Sequence, residues 1–282
     1  MTMVGNSVGN ILVLGANGKT GRRIVERLRN LDAPIRIGSR KAPIPFDWEN
    51  HTTWKPALDG VSTVYVTFQP DIAVPGALET VSKFYDTAIA SGTAKFILLS
   101  GRGEVEAEDA ERVLQATNAD WTILRASWFA QNFSESFFLE PIRQGEVFLP
   151  TGLAAEPFVD ADDLADMAVA AIMTSDHSRV LYDITGPEAL TFEDAVGRIA
   201  RATGREISFT TVRPEAYRDE LVRMEVPREY VELIMYLFAN VLDGRNTPVT
   251  DAVQRALGRP AGSFDEYVAR TAATGIWGGN NV

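Results

Sequence analysis

The sequence predicts an α/β fold: a Rossmann-type doubly wound parallel sheet with a smaller C-terminal substrate-binding lobe. Three observations lead there. The apolar run "NILVLGA" at 10–16 leads directly into a stretch that carries glycine at Gly15, Gly18 and Gly21. Strand-like and helix-like segments then alternate through the first half, which makes a parallel sheet covered by helices on both faces. From about residue 135 the alternation loosens into a different organisation. We therefore expect a flexible tail at 1–9, a dinucleotide-binding domain at 10–134 with later elements returning to it, and a smaller lobe over most of 135–282.

The elements follow in order. "NILVLGA" is too continuously apolar for a half-exposed strand and suits a central parallel one. "KTGRRIVERLRNL" at 19–31 spaces Ile24, Val25, Leu28 and Leu31 helically, with arginines on the other face. "PIRIGSR" at 34–40 reads as a second strand, "IPFDW" at 44–48 as a short third, and "VSTVYVTFQ" at 61–69, rich in β-branched and aromatic residues, as a fourth. "GALETVSKFYDTAIASG" is a helix closed by Gly92. "AKFILLSG" at 94–101 is a fifth strand, "EDAERVLQAT" at 108–117 a helix, and "DWTILRAS" at 120–127 a sixth strand. Beyond these, "GEVFLPTG" and "RVLYDITG" read as strands, with the helix "DADDLADMAVAAIMT" between them. Asp160, Asp162 and Asp163 are expected to cap that helix, and Thr191 to cap the next, "TFEDAVGRIARATG". "REYVELIMYLFANVL" at 228–242 is apolar around nearly its whole circumference, so it is expected to be buried, to roof a pocket around Met235, Tyr236 and Phe238, or to form a subunit interface.

Composition excludes several kinds of chemistry. The chain has 282 residues, 45% of them hydrophobic and 23% charged, enough for a real core. It has no cysteine, so disulfides, thiolate ligands and thiol nucleophiles are excluded. Its two histidines, His51 and His177, are far apart, and no metal site is expected. A net charge of −11 argues against nucleic-acid and anionic-membrane binding, and no apolar run reaches a membrane span's length. The first residues lack a signal peptide's basic start and apolar core, so a cytoplasmic location is expected, as a monomer or homodimer acting on a small molecule.

The glycines read as a phosphate cradle. Gly15 allows the turn out of the strand, Gly18 lets backbone N–H groups approach a pyrophosphate, and Gly21 lets the helix pack close to the sheet, whose helix N-terminus favours negative charge. Asn17, Lys19 and Thr20 belong to the same loop. A carboxylate ending the second strand would hold the ribose 2′-hydroxyl of NAD; the sequence there is Gly38-Ser39-Arg40-Lys41. Ser39 and Arg40 suit a 2′-phosphate instead, so NADP(H) is the expected cofactor, with NAD(H) left open.

The G-x-x-G-x-x-G spacing resembles that of the extended and atypical short-chain dehydrogenases/reductases. With "GSR" at 38–40, "FDW" at 46–48, "FILLSG" at 96–101, "LRASWFAQNF" at 124–133, "PFVDADDLADMA" at 157–168 and the ending "ARTAATGIW", the whole chain resembles the NmrA-like family. That family includes bacterial NAD(P)H-dependent reductases, triphenylmethane-dye reductases and ergot-alkaloid iminium reductases. The resemblance implies that Asp47 and Trp48 lie by the adenine, and that Thr67, Phe68 and Gln69 pass under the adenosine and pyrophosphate. It places Ser100, Gly101, Ser127, Trp128 and Phe129 by the nicotinamide. Trp48 and Phe68 read equally well as core aromatics.

The larger superfamily reduces carbonyls with a Tyr-x-x-x-Lys pair. No tyrosine here, at 65, 85, 182, 217, 230, 236 or 267, has lysine four positions later. The catalytic group therefore stays unassigned. Ser100 is a candidate for orienting substrate or nicotinamide, with a plain strand-end backbone bond as the alternative. Arg102 and the acidic run Glu104, Glu106, Glu108, Asp109 and Glu111 are expected to be a solvated surface and helix start. Trp128, Phe129, Asn132, Phe133 and Phe137 are the expected substrate pocket, with ordinary core packing as the alternative. These residues predict an NADPH-dependent oxidoreductase that passes hydride to an electron-poor apolar or aromatic acceptor such as an iminium, a quinone or a dye. The alternative is an NAD(P)-sensing regulatory binding protein without catalysis.

Overall fold

The computed structural model describes residues 9–278; the expected tail at 1–9 lies almost wholly outside them. The chain forms two compact units. The first comprises the described residues up to Arg125 and then Leu164–Tyr182; the second comprises Ala126–Asp163 and the chain from Asp183 onward.

The first unit carries β1 (Asn10–Leu14), α1 (Lys19–Asn30), β2 (Ile35–Gly38), α2 (Trp54–Leu58), β3 (Val61–Val66), α3 (Ala77–Ala90), β4 (Lys95–Gly101), α4 (Val105–Gln115) and most of β5 (Asp120–Ala126). Then come α5 (Asn132–Glu135), α6 (Leu139–Gln144), β6 (Glu146–Leu149), α7 (Ala161–Met173), β7 (Val180–Ile184), α8 (Phe192–Thr203), β8 (Ser208–Thr211), α9 (Pro214–Arg223), α10 (Arg228–Tyr236), α11 (Ala252–Leu257) and α12 (Phe264–Ala272). The central sheet has six strands in the order β2-β1-β3-β4-β5-β7, and β1 pairs in parallel with both β2 and β3. The chain runs outward to β2 and then returns across β1 to β3. This reversal leaves a crevice past the strand ends at β1 and β3, where sheets of this kind bind ligands. Four consecutive residues of β1, Ile11 to Leu14, are fully buried, as a strand covered on both faces requires.

"IPFDW" forms no strand. Pro43 and Pro45 have no N–H to give a ladder. The Phe46 N–H donates to the Ser39 carbonyl instead, and Trp54 Nε1 donates to the Asp47 carbonyl at 2.8 Å. The segment is a side-chain-tied turn that brings Phe46 and Trp54 into the core beneath α3. A strand absent from the sequence reading, β8, pairs in parallel with β6 in the second unit. The helix at 228–242 is not buried all round: Val231, Ile234, Met235 and Phe238 face the core, whereas Arg228, Glu229, Tyr230 and Glu232 are exposed. Thr191 caps α8 in a reciprocal box with Asp194, and Asp160 Oδ1 accepts from the Asp162 N–H at the start of α7, as the sequence predicts.

Gly21 decides how α1 sits on β1. A Cβ at Gly21 would lie 2.7 Å from the Gly15 carbonyl carbon and 2.9 Å from Ala16 Cα, both rigid backbone. Gly21→Ala should therefore cost about 1–3 kcal/mol through overpacking, read as a lowered urea midpoint. An unchanged midpoint would contradict this packing.

Candidate functional site

The glycine loop has the geometry its sequence predicts. Gly15 adopts φ +60°, and a Cβ there would come 2.5 Å from Thr67 Cγ2. The Gly18 N–H donates to the Gly15 carbonyl at 2.8 Å, which closes the loop onto the first turn of α1. Gly18 is the N-cap residue of α1, no side chain caps that terminus, and its first turn carries no acid. An uncapped helix start approached by bare glycine backbone suits an anion. Asn17 and Gly18 are exposed, whereas Thr20 is buried and its hydroxyl oxygen accepts from Tyr65 Oη at 2.8 Å. Thr20 therefore anchors the helix to β3 through its side chain. Its hydroxyl is not turned outward.

At the end of β2, Gly38 is pressed against Leu14 and Val13, where a Cβ would lie 2.6 Å from Leu14 Cδ2. The chain then turns at Ser39, whose carbonyl accepts from Ala42 and Phe46, and this turn leaves Arg40 and Lys41 exposed. Trp48 is half-buried. Its Nε1 donates to the Thr67 carbonyl at 3.2 Å, and its ring lies 4.8 Å from that of Phe68. Both rings rest on the core and keep part of their surface open, so the two readings of them meet in one place. The Asp47 backbone and carboxylate are engaged with Thr53, Trp54 and Glu49, which fixes the turn.

Ser100 is buried at the end of β4. Its hydroxyl donates to Glu111 Oε1 at 2.6 Å, and the same carboxylate accepts from Arg125 Nε at 2.9 Å. The Ser100 proton is thus committed to the Glu111–Arg125 ion pair. This also corrects the reading of the acidic run. Glu111, with 2% of its surface exposed, and Glu104, with 7%, are buried, while Glu106 is exposed as expected.

Glu104 folds back over β4. A Cβ on Gly101 would lie 2.5 Å from the Glu104 carboxyl carbon, so only glycine admits this carboxyl against the strand end. Glu104 shares a hydrogen bond with Asp71, which follows the stretch Thr67–Gln69. Burial, then the charge and hydrogen bond of Asp71, then the charge of Glu106, hold the Glu104 carboxyl well above the usual carboxylate range. Burial raises Asp71 as well, against the Ala73 N–H and Glu104, which donate to it. Glu104 Oε2 has no hydrogen-bond partner among the described residues. Sequence reasoning missed this pair because Asp71 and Glu104 lie on different loops. The available signal was Gly101-Arg102-Gly103 just before an acid, a run flexible enough to turn a side chain back on its own strand.

The expected pocket residues lie in the second unit. Trp128 is half-buried, with its ring 5.3 Å from Phe192 and 5.4 Å from Phe238. Phe129 and Asn132 are half-buried, and Phe137 is 39% exposed beside Phe138. Phe133 is fully buried among Phe138, Phe158, Phe192 and Phe264, so it backs this surface and lines nothing. Ser127 is buried too, and its hydroxyl donates to the Pro157 carbonyl at 2.6 Å. Its side chain is structural, and its backbone N–H donates to the Ile184 carbonyl at 3.0 Å. Tyr65, Tyr85, Tyr217 and Tyr267 are buried, and burial pushes each phenol up, away from the ionised state a Tyr–Lys couple creates. Among the described residues there is no group of histidine, aspartate and glutamate that could hold a metal, and no helix is long and apolar enough to cross a membrane.

Two outcomes test this geometry. Gly18→Val adds a branched side chain at an exposed loop position of ordinary φ, so the protein should fold; calorimetry should show dinucleotide affinity reduced on the order of tenfold or more. Undiminished affinity would remove Gly18 from the cradle. The Glu104–Asp71 pair has folded-state values raised above the unfolded ones. Its contribution is therefore complete at acid pH and is lost as pH rises from the ordinary carboxylate range through the raised values. Glu104→Gln should flatten that decline in urea midpoints and leave the mutant relatively more stable at mildly basic pH; a parallel decline in both proteins would contradict the assignment.

Comparison with known proteins places the fold and the family. An uncharacterized oxidoreductase of Bacillus subtilis, YesF, is 29% identical over 280 residues, covering 95% of this chain and 97% of its own. An NAD(P)H azoreductase of Xenophilus azovorans is 25% identical, covering 93% and 98%. The structure of an NADPH-dependent quinone oxidoreductase of Escherichia coli, complexed with NADPH, superposes with a TM-score of 0.78 at 16% identity, over 92% of this chain and 99% of that one. Residues 15–175, beginning at the first cradle glycine and covering more than half of the chain, match the family described as NAD(P)H-binding, and the chain belongs to that family.

Proposed function

We propose that this NAD(P)H-dependent oxidoreductase takes NADPH in preference to NADH and passes hydride to an electron-poor apolar or aromatic small molecule. The observation that carries the cofactor preference is the turn after β2. It presents the exposed Arg40 beside Ser39 and contains no carboxylate from Gly38 to Lys41. Arg40 offers a planar fork to a 2′-phosphate, and nothing there would bind the 2′-hydroxyl of NAD. Gly15, Asn17, Gly18, Lys19 and Gly21 would hold the pyrophosphate, with Thr20 fixing the helix. Asp47, Trp48, Thr67, Phe68 and Gln69 would border the adenosine, and Ser100 and Gly101 the nicotinamide, which supplies the hydride when bound.

The acceptor class follows from what the site contains. Trp128, Phe129, Asn132 and Phe137 form a part-open aromatic surface in the second unit, suited to a flat acceptor. Ser127, bonded through its hydroxyl to Pro157 and through its N–H to Ile184, would shape the chain beside the nicotinamide. No tyrosine has a lysine four residues on to tune it as a proton donor for an unactivated ketone, so the acceptor must itself be readily reduced. The azoreductase relative and the structurally similar quinone oxidoreductase are named for acceptors of this sort. We place the reaction in the cytoplasm, in keeping with a chain that uses no cysteine.

Losing a charge-assisted phosphate contact costs about 1.5–3 kcal/mol. Arg40→Ala should therefore weaken NADPH binding by roughly ten- to a hundredfold and leave NADH nearly unchanged; equal losses would assign Arg40 to the fold. Oxidation of NADPH should proceed with quinone, azo, iminium or cationic-dye acceptors and poorly with aliphatic ketones. Ser100→Ala should slow it only modestly, because the hydroxyl is bonded to Glu111. Tight NADPH binding without reduction of any acceptor would replace this reading with nucleotide sensing.

A further inference from the structure

We propose that Asp71 and Glu104 together form the acid of this reductase, one proton shared by two carboxyls and delivered to the acceptor atom that hydride transfer leaves basic. The proposal rests on the reductase reading above. Three features of the first unit support it. The pair stands at the ends of neighbouring parallel strands: Asp71 follows the loop from β3 that contains Thr67, Phe68 and Gln69, and Glu104 follows β4 directly after Ser100 and Gly101. Gly101 admits the Glu104 carboxyl against the strand end, where any Cβ would displace it. Glu104 is 7% exposed with Oε2 unpartnered, while Asp71 is half-buried. The pair thus has a protected member and a member open to exchange.

Among the described residues, no cation acts on either carboxyl. The groups that act on Glu104 are Asp71 and Glu106, both acidic, and Asp71 is met by Glu104 and the Ala73 N–H. Two carboxylates sharing a hydrogen bond resist ionising together, which favours a proton held between them. The other buried acid on α4, Glu111, is different: Arg125 neutralises it and Ser100 donates to it. Glu111 is committed to these two partners, which leaves the Asp71–Glu104 pair as the acid at this edge.

The balance is simple for a quinone or an azo compound. Hydride from NADPH forms a new bond to the acceptor, and the electron pair of the acceptor's double bond moves to the oxygen or second nitrogen. That atom bonds the proton of the pair, both carboxyls become carboxylates, and Asp71 regains one proton from water. The sum is acceptor plus NADPH plus one proton giving reduced acceptor plus NADP⁺. A cationic triarylmethane dye needs no proton, since hydride alone neutralises it.

This difference supplies the test. Glu104→Gln and, as a second variant of similar shape, Asp71→Asn are compared with the parent protein on a quinone, an azo compound and a cationic triarylmethane dye. The ratio of quinone or azo turnover to dye turnover should fall about a hundredfold or more, the usual contribution of a positioned acid. Infrared spectra of the nucleotide-free protein should show a protonated carboxyl stretch at neutral pH that Glu104→Gln removes. An unchanged ratio in both variants, or no such band in the parent protein, would overturn the proposal. A parent protein that binds NADPH but reduces none of the three acceptors would overturn the reductase reading and the acid's role with it, while the infrared band would still report the shared proton.

Discussion

Gly21 lies directly against the backbone of Gly15 and Ala16, and the nucleotide-binding half of the protein is arranged around that approach. Because no side chain intervenes, α1 begins where β1 ends, and its uncapped first turn opens straight onto the loop. Gly38 makes a similar approach from the other side, against Val13 and Leu14. The end of β1 is therefore flanked by two stripped positions, one leading into a helix and one leading into the Arg40 turn. Backbone N–H groups and a flexible cation come to one place because steric bulk has been removed around a single buried strand. The Tyr65–Thr20 hydrogen bond then locks the helix to β3 from below.

The charges under the strand ends follow two different rules. Glu111 is buried with Arg125, whose guanidinium offsets the loss of water, and removing either partner would strand the other. Glu104 is buried with a second carboxyl, an arrangement that destabilises its charged form and raises its pKa. The first holds the Ser100 hydroxyl, and the second lies against Gly101. One rigidifies the strand end, and the other leaves a titratable group on it.

The second unit is held by a different force. Phe133, Phe138, Phe158, Phe192 and Phe264 meet at ring separations between 5.1 and 5.8 Å, mostly edge-on or tilted. Trp277 closes this core, with Nε1 donating to the Phe133 carbonyl at 2.7 Å. Capping boxes at Thr191 and Ser263 satisfy the starts of α8 and α12 internally, in contrast to the open start of α1. Trp128 sits at the margin of this aromatic core, packed against Phe192 and Phe238 and half-buried.

Much of the fold could be read from the residues. Local signals sufficed where neighbours in sequence are neighbours in space: the apolar run of β1, the spacing of the three glycines, the Thr191 cap, the helical period of α1 and the absence of any acid after β2. The same locality carried the resemblance to the NmrA-like family. Where the outcome depended on segments far apart, the sequence was silent or misleading. "IPFDW" has strand-like residues, but its prolines and the Ser39 and Trp54 bonds made it a turn. Ser208–Thr211 is too short and polar to announce itself, and it became β8 only because β6 offered a partner. Phe133 and Phe137 looked alike in sequence, and packing sent one into the core and left the other exposed. The acidic run on α4 had the pattern of a solvated helix start, yet Arg125 drew Glu111 inward and Gly101 made room for Glu104 to meet Asp71. The sequence by itself determined the central strand β1, the glycine spacing after it and the missing Tyr–Lys couple, because these depend on local geometry and residue identity. Only the tertiary structure decided which carboxyls lost their water and what faced them, because burial and pairing belong to the packed chain.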